Sequence, residues 1–168
     1  MKYSLIKDLL LFVILCTVQV LVLSHIRLFG FATPLFYVYF ILLFRRNYPR
    51  WGILLWSFAI GIVIDSFANT PGVAAASMTA VGMMQPMVLE LFMQRESAEN
   101  LKPSIRSMGF AYYLLYSLIL ILTYCILFFT LETFTFFNWL QWLESIGGCF
   151  LFTLILVLVL ESVKHVKN

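Results

Sequence analysis

Residues 50–90 read RWGILLWSFAIGIVIDSFANTPGVAAASMTAVGMMQPMVLE. Two apolar runs of about twenty residues, the length that crosses a ~30 Å hydrocarbon core as a helix, flank the reversal Asn69-Thr70-Pro71-Gly72. Pro and Gly supply the dihedral angles that a tight turn needs. Arg50 precedes the first run and Arg95 follows the second. The stretch therefore reads as a helical hairpin that enters a membrane and returns, with its cations on one side and its turn on the other.

The rest of the chain extends that pattern. Hydrophobic residues make up 62% of the sequence and charged residues 11%, against about 25% charged in a soluble domain. A mean hydropathy of +0.97 leaves too little polar surface for a protein in water. Six spans are predicted: Leu9–Leu23, Gly30–Phe44, Trp51–Ala68, Val73–Met93, Met108–Thr130 and Ile146–Leu160. The second is short. None shows the strict alternation of a lipid-facing strand, and the backbone must satisfy its own hydrogen bonds in hydrocarbon, so all six are read as helices. Residues 1–168 form a single all-α, integral-membrane domain.

Lys2, Lys7, Arg45, Arg46, Arg50, Arg95, Lys102, Arg106, Lys164 and Lys167 then share one side, and Arg27 stands on the other. Cytoplasmic loops carry the excess of Lys and Arg, so both termini are expected in the cytoplasm. Without the second span, Arg45, Arg46 and Arg50 would move outside and the asymmetry would weaken. The first span follows a basic start as a signal peptide does, but it is too long for one and no small-residue cleavage site follows, so it is read as an anchor. The net charge of +3 reports orientation and no nucleic-acid footprint. Cys16, Cys125 and Cys149 form neither a CxxC pair nor a disulfide framework.

Two connections stand out. The outer piece Leu131–Glu144 carries Phe134, Phe136, Phe137, Trp139 and Trp142; such rings favour the headgroup level, so the piece is expected along the interface, with partner contact as the alternative. The polar piece Gln94–Ser107 alternates in sign through Arg95, Glu96, Glu99, Lys102 and Arg106. It reads as a solvated loop or as a docking surface for a cytoplasmic partner.

Ionisable groups inside spans are functional candidates. Asp65, near the outer end of the third span, is expected to hydrogen-bond to the Asn69-Thr70 turn; ligand, proton or partner roles are its alternatives. Glu90 is expected to form a surface pair with Arg95. Gln19 and Gln85 can bond across helices, with Gln85 a candidate for the carbonyl that Pro86 frees. His25 is read as an interfacial residue. Ser57 and Gly61 on the third span, and Ala76 and Ala80 beside Ala74, Ala75 and Gly82 on the fourth, form small-xxx-small faces that let backbones approach. These two helices are the expected tight centre. Tyr112, Tyr113 and Tyr116 fit an aromatic belt, with Tyr112 and Tyr116 on one face.

No metal spacing, GxSxG, P-loop or paired-carboxylate motif is present, and no inverted repeat is evident. The chain is expected to be non-enzymatic, with no cofactor or metal.

The order Gly52, Gly61, Asp65, Pro71-Gly72-Val73-Ala74-Ala75-Ala76, in six spans of this length, resembles the rod-shape-determining MreD family. The family has a Gly-rich third helix ending in an Asp, a short turn, and a Pro-hydrophobic-Gly-small stretch opening the next helix; here Pro71-Gly72 lacks the intervening hydrophobic residue. The resemblance implies a multi-pass scaffold of the bacterial plasma membrane. It would bind a single-span MreC-like protein and, through the elongation complex, the MreB filament, RodA and a penicillin-binding transpeptidase, supporting cell shape and lateral peptidoglycan synthesis. The family's fold also resembles the substrate-binding subunits of energy-coupling-factor transporters. That likeness implies an alternative, a small-molecule binding subunit with Asp65, Asn69 and Thr70 lining an outward pocket.

Overall fold

The computed structural model describes residues 2–21, 35–93, 102–133 and 139–167, which are all helix and connection, with no strand among them. Helix α1 is Lys2–Leu21. A 3-10 turn, Phe36–Val38, runs into one α-turn, Tyr39–Leu42, and the two together are α2, residues 36–42. Then come α3, Arg50–Ala68, and α4, Val73–Phe92. The one-turn α5, Ile105–Met108, breaks at Gly109, whose φ is +86°. The long helices α6, Phe110–Thr133, and α7, Trp139–Lys167, complete the chain. Among the described residues three helices are long and apolar enough to cross a membrane: Arg50–Ala68, Phe110–Thr133 and Trp142–Val163; Leu9–Leu21 is a shorter apolar helix.

Helices α3 and α4 make the most intimate pair, and α6 packs on α4 and on α7. Buried positions recur at helical spacing. On α3 they are Ile53, Ser57, Ile60, Gly61, Ile64 and Asp65; on α4 they include Ala74, Ala75, Met78, Val81, Gly82 and Gln85. On α7 the inward row is Ser145, Cys149, Thr153, Val157 and Glu161, one residue in four, the i±4n ridge along which helices interlock. Leu55, Phe58 and Ile62 on α3 and Leu151, Ile155 and Val159 on α7 are exposed. An apolar exterior over a core with polar members suits helices whose surroundings are hydrocarbon.

Two stretches differ from the sequence expectation. Within Gly30–Phe44, residues 30–34 lie outside the described residues, and the helical part that follows is seven residues. At 1.5–2 Å per residue it covers about 12 Å, well short of a ~30 Å core. Leu35 N–H donates to Thr153 Oγ1 at 3.1 Å, and Thr153 lies midway along α7. So α2 begins at half depth and runs toward the Arg45 end, with every residue from Leu35 to Leu42 buried. The second difference is Leu131–Glu144. Helix α6 runs on to Thr133 and α7 already begins at Trp139; residues 134–138 lie outside the described residues. At about 43 Å, α7 exceeds the hydrocarbon thickness, so its first turns reach headgroup level as helix.

Candidate functional site: the Asp65 cap and the polar clamp on α2

The hairpin turn is built residue by residue. Asn69 adopts the left-handed conformation (φ 57°, ψ 35°), and its N–H returns to the Asp65 carbonyl, the asparagine version of a glycine helix stop. Val73 N–H donates to Thr70 O at 3.3 Å, and Gly72 has φ +83° and ψ −8°. This is a type II turn with Pro71 and Gly72 at the two central positions that such a turn favours. Gly72 caps α4 without a side chain, so the first N–H groups of α4 need an acceptor from elsewhere.

Asp65 supplies it. Its Oδ1 accepts from Ala74 N–H at 2.9 Å and from Thr70 Oγ1 at 3.0 Å, and its Oδ2 accepts from Ala75 N–H at 2.9 Å. A carboxylate near the C-terminal end of α3 opposes that helix's dipole, while the antiparallel α4 places its positive N-terminus alongside. The expected bond to the turn is present and extends further, into α4. Both oxygens of this 7%-exposed carboxyl are engaged within the hairpin.

Gly61, one turn back on the same face, makes that geometry reachable. A Cβ there would stand 2.7 Å from Ala75 N and 2.9 Å from Ala74 O, and closer still to Ala75 Cα. Ser57 faces Gly82, where a Cβ would approach Ser57 Cβ to 3.1 Å. Gly52 is buried beneath the Tyr48 ring. Asn69, Pro71 and Gly72 are exposed in the turn. Ala76 is exposed and Ala80 half-buried, so this small pair faces away from α3, and Ala74, Ala75 and Gly82 line the contact instead.

Toward the Arg45 end, polar side chains clamp α2. Gln19 Oε1 accepts from Phe36 N–H at 3.0 Å. The hydroxyls of Tyr37 and Tyr124 meet in the core. Tyr39 OH donates to Glu161 Oε2 at 2.8 Å. Gln85 Nε2 donates to Phe44 O at 3.3 Å and to Tyr116 OH at 3.0 Å. A seven-residue helix has no independent stability. Thr153 and Gln19 accept from the backbone N–H groups that lead into α2, Gln85 donates to a carbonyl just beyond it, and the hydroxyl bonds of Tyr37 and Tyr39 to α6 and α7 fix its register.

This clamp corrects several expectations. Gln85 serves α2 and α6 rather than the carbonyl freed by Pro86. Tyr113, Tyr116 and Tyr124 are fully buried while Tyr112 is 54% exposed, so they are core residues rather than a belt, and Tyr112 and Tyr116 have different surroundings. Glu90 is exposed; Arg95 and His25 lie outside the described residues. Glu161 was not foreseen. It sits one residue beyond the predicted sixth span, yet is 5% exposed. The three cysteines are buried.

The clamp makes unequal demands on its tyrosines. Tyr113 OH is buried with no hydrogen-bond partner among the described residues, whereas Tyr39 OH serves a buried carboxyl. Tyr39→Phe is expected to destabilise by about 1–3 kcal/mol, the cost of stranding a buried acceptor. Tyr113→Phe should change stability by less than about 0.5 kcal/mol, or raise it slightly. Thermal unfolding of the two purified variants in one detergent checks the contrast.

Comparison with known proteins finds no matching family, no matching curated protein and no matching solved structure.

Proposed function

We propose that this chain is a non-enzymatic scaffold of the bacterial plasma membrane, of the MreD type. It would bind an MreC-like single-span protein and so join the MreB filament, RodA and the penicillin-binding transpeptidase of cell elongation. The proposal includes six crossings with both termini in the cytoplasm, following the placement of the cations. Its support is the resemblance carried by residues 50–90 together with one structural observation, the outward seam of α4.

Ala76, Ala80, Met83 and Met87 are spaced four, three and four residues apart, the seam that a second helix packs against. Ala76, Met83 and Met87 are exposed and Ala80 is half-buried. The exteriors of α3 and α7 carry Leu, Ile, Val and Phe, whereas this one carries small and adaptable side chains. Small residues admit close backbone approach within lipid, and Met moulds to irregular partners.

Copurification of the tagged chain from membranes in mild detergent tests the reading. The unmodified chain is expected to recover an MreC-like protein. Ala80→Trp is expected to lose it at least tenfold while keeping the thermal midpoint within about 2 °C. Recovery of the unmodified chain alone, or an Ala80→Trp variant that still captures the partner, would count against the reading.

A further inference from the structure

A shallow cleft at the Arg45 end opens between α1, α2 and the segment that leads into α5. Leu11, Phe40, Leu43 and Phe44 line it, with Lys102 beside them. Its floor is firm. Phe40 and Phe44 are buried and pack edge to face, 5.1 Å between centroids. The segment bearing Lys102 is held as well: Ser107 Oγ donates to Lys102 O at 2.8 Å, and Ser104 and Ser107 cap each other across α5. Lys102 itself is exposed, so a fixed backbone presents a long cationic side chain beside a shallow apolar cleft.

The surrounding charge selects the occupant. Arg45, Arg46, Arg50 and Arg106 belong to the same end, and among the described residues they outnumber its carboxylates, which are Asp8 one turn before Leu11 on α1, the exposed Glu90, and Glu161 buried against Tyr39. A zwitterionic headgroup would bring its own ammonium into this field of cations. The balance is cationic, so an anionic headgroup meets net attraction, worth about 1 kcal/mol per basic side chain near a membrane surface.

We propose that the cleft binds an anionic diacyl phospholipid. One acyl chain lies along Leu11, Phe40, Leu43 and Phe44, and the phosphodiester meets the Lys102 ammonium. The inference rests on the chain's residence in a membrane and not on the scaffold reading, so either can fail without the other.

The test uses the full chain, delipidated in a maltoside detergent and titrated with phosphatidylglycerol or with phosphatidylcholine of identical acyl chains. A lipid that binds the folded state raises the thermal midpoint with concentration, which yields an apparent affinity. Phosphatidylglycerol is expected to bind on the order of fivefold tighter than phosphatidylcholine, and Lys102→Gln to abolish that preference. Arg106→Gln, a cation of the same end outside the cleft, should retain it. Equal stabilisation by the two lipids overturns the site, as does an equal loss in both variants, which would mean diffuse surface charge. Should Lys102→Gln not fold, Leu43→Trp fills the cleft instead and is expected to weaken phosphatidylglycerol at least fivefold; undiminished affinity there overturns the proposal as well.

Discussion

Gly61→Leu is expected to separate α3 from α4 and to lower stability by about 3 kcal/mol or more, a large part of the ~5–15 kcal/mol that holds a typical domain together. Inserting bulk into a packed core usually costs about 1–3 kcal/mol, because neighbouring side chains turn aside or the backbone shifts. Here the nearer atoms are the Ala75 backbone and the Ala74 carbonyl, so no rotamer change relieves the contact. The helices must move apart, and Asp65, one turn further on, then loses its reach to Ala74 and Ala75. Even Gly61→Ala should destabilise measurably. Ala76→Leu, on the exposed face of α4, is the control and should remain within about 0.5 kcal/mol. The check is the thermal midpoint of the three variants in a single detergent, with the monodisperse fraction on gel filtration as a second readout. A Gly61→Leu protein with an unchanged midpoint would mean that α3 and α4 do not meet at these residues.

The hairpin was legible because its signals are local. Asn69, Pro71 and Gly72 each impose a backbone conformation that needs no distant partner, and Ser57, Gly61 and Asp65 mark one face by their spacing. Elsewhere the rotation of the helices was out of reach. In α6 apolar residues surround the axis, and a helix hydrophobic all round carries no amphipathic phase. The burial of Tyr113 and Tyr116 and the exposure of Tyr112 are decided by contact with α4 and α7. Glu161 was hidden for a related reason. It follows the apolar run at Leu160 and precedes Lys164, so it reads as the solvated end of a helix. Its burial is created by Tyr39, 122 residues away. The depth of α2 was equally non-local, since Gln19, Gln85, Thr153 and Glu161 hold it from three other helices. The interior partner of α3 could be anticipated as α4, but Ala76 and Ala80 were assigned to that contact when their neighbours Ala74 and Ala75 make it.

The second large effect is expected at Asp65. In Asp65→Ala the amides of Ala74 and Ala75 lose their acceptor in a buried setting, and the hydroxyl of Thr70 loses its own. An unsatisfied buried donor costs about 1–3 kcal/mol, so a total near 3 kcal/mol is expected, because the first turn of α4 relaxes rather than bearing each loss separately. Asp65→Asn keeps one acceptor oxygen but turns an amide NH2 toward a backbone N–H, and should fall about midway. The damage has an address. Amide exchange measured by mass spectrometry should accelerate in peptides covering the start of α4, with α6 unaffected. If the carboxyl were instead displayed for a ligand or a partner, Asp65→Asn would keep its thermal midpoint and its exchange pattern and lose only copurification. A cap loses stability first and binding in proportion to it, whereas a recognition group loses binding alone. Comparing Asp65→Asn with Ala80→Trp separates the two, since the outward residue is expected to show the pattern that Asp65 lacks: an intact fold and a missing partner.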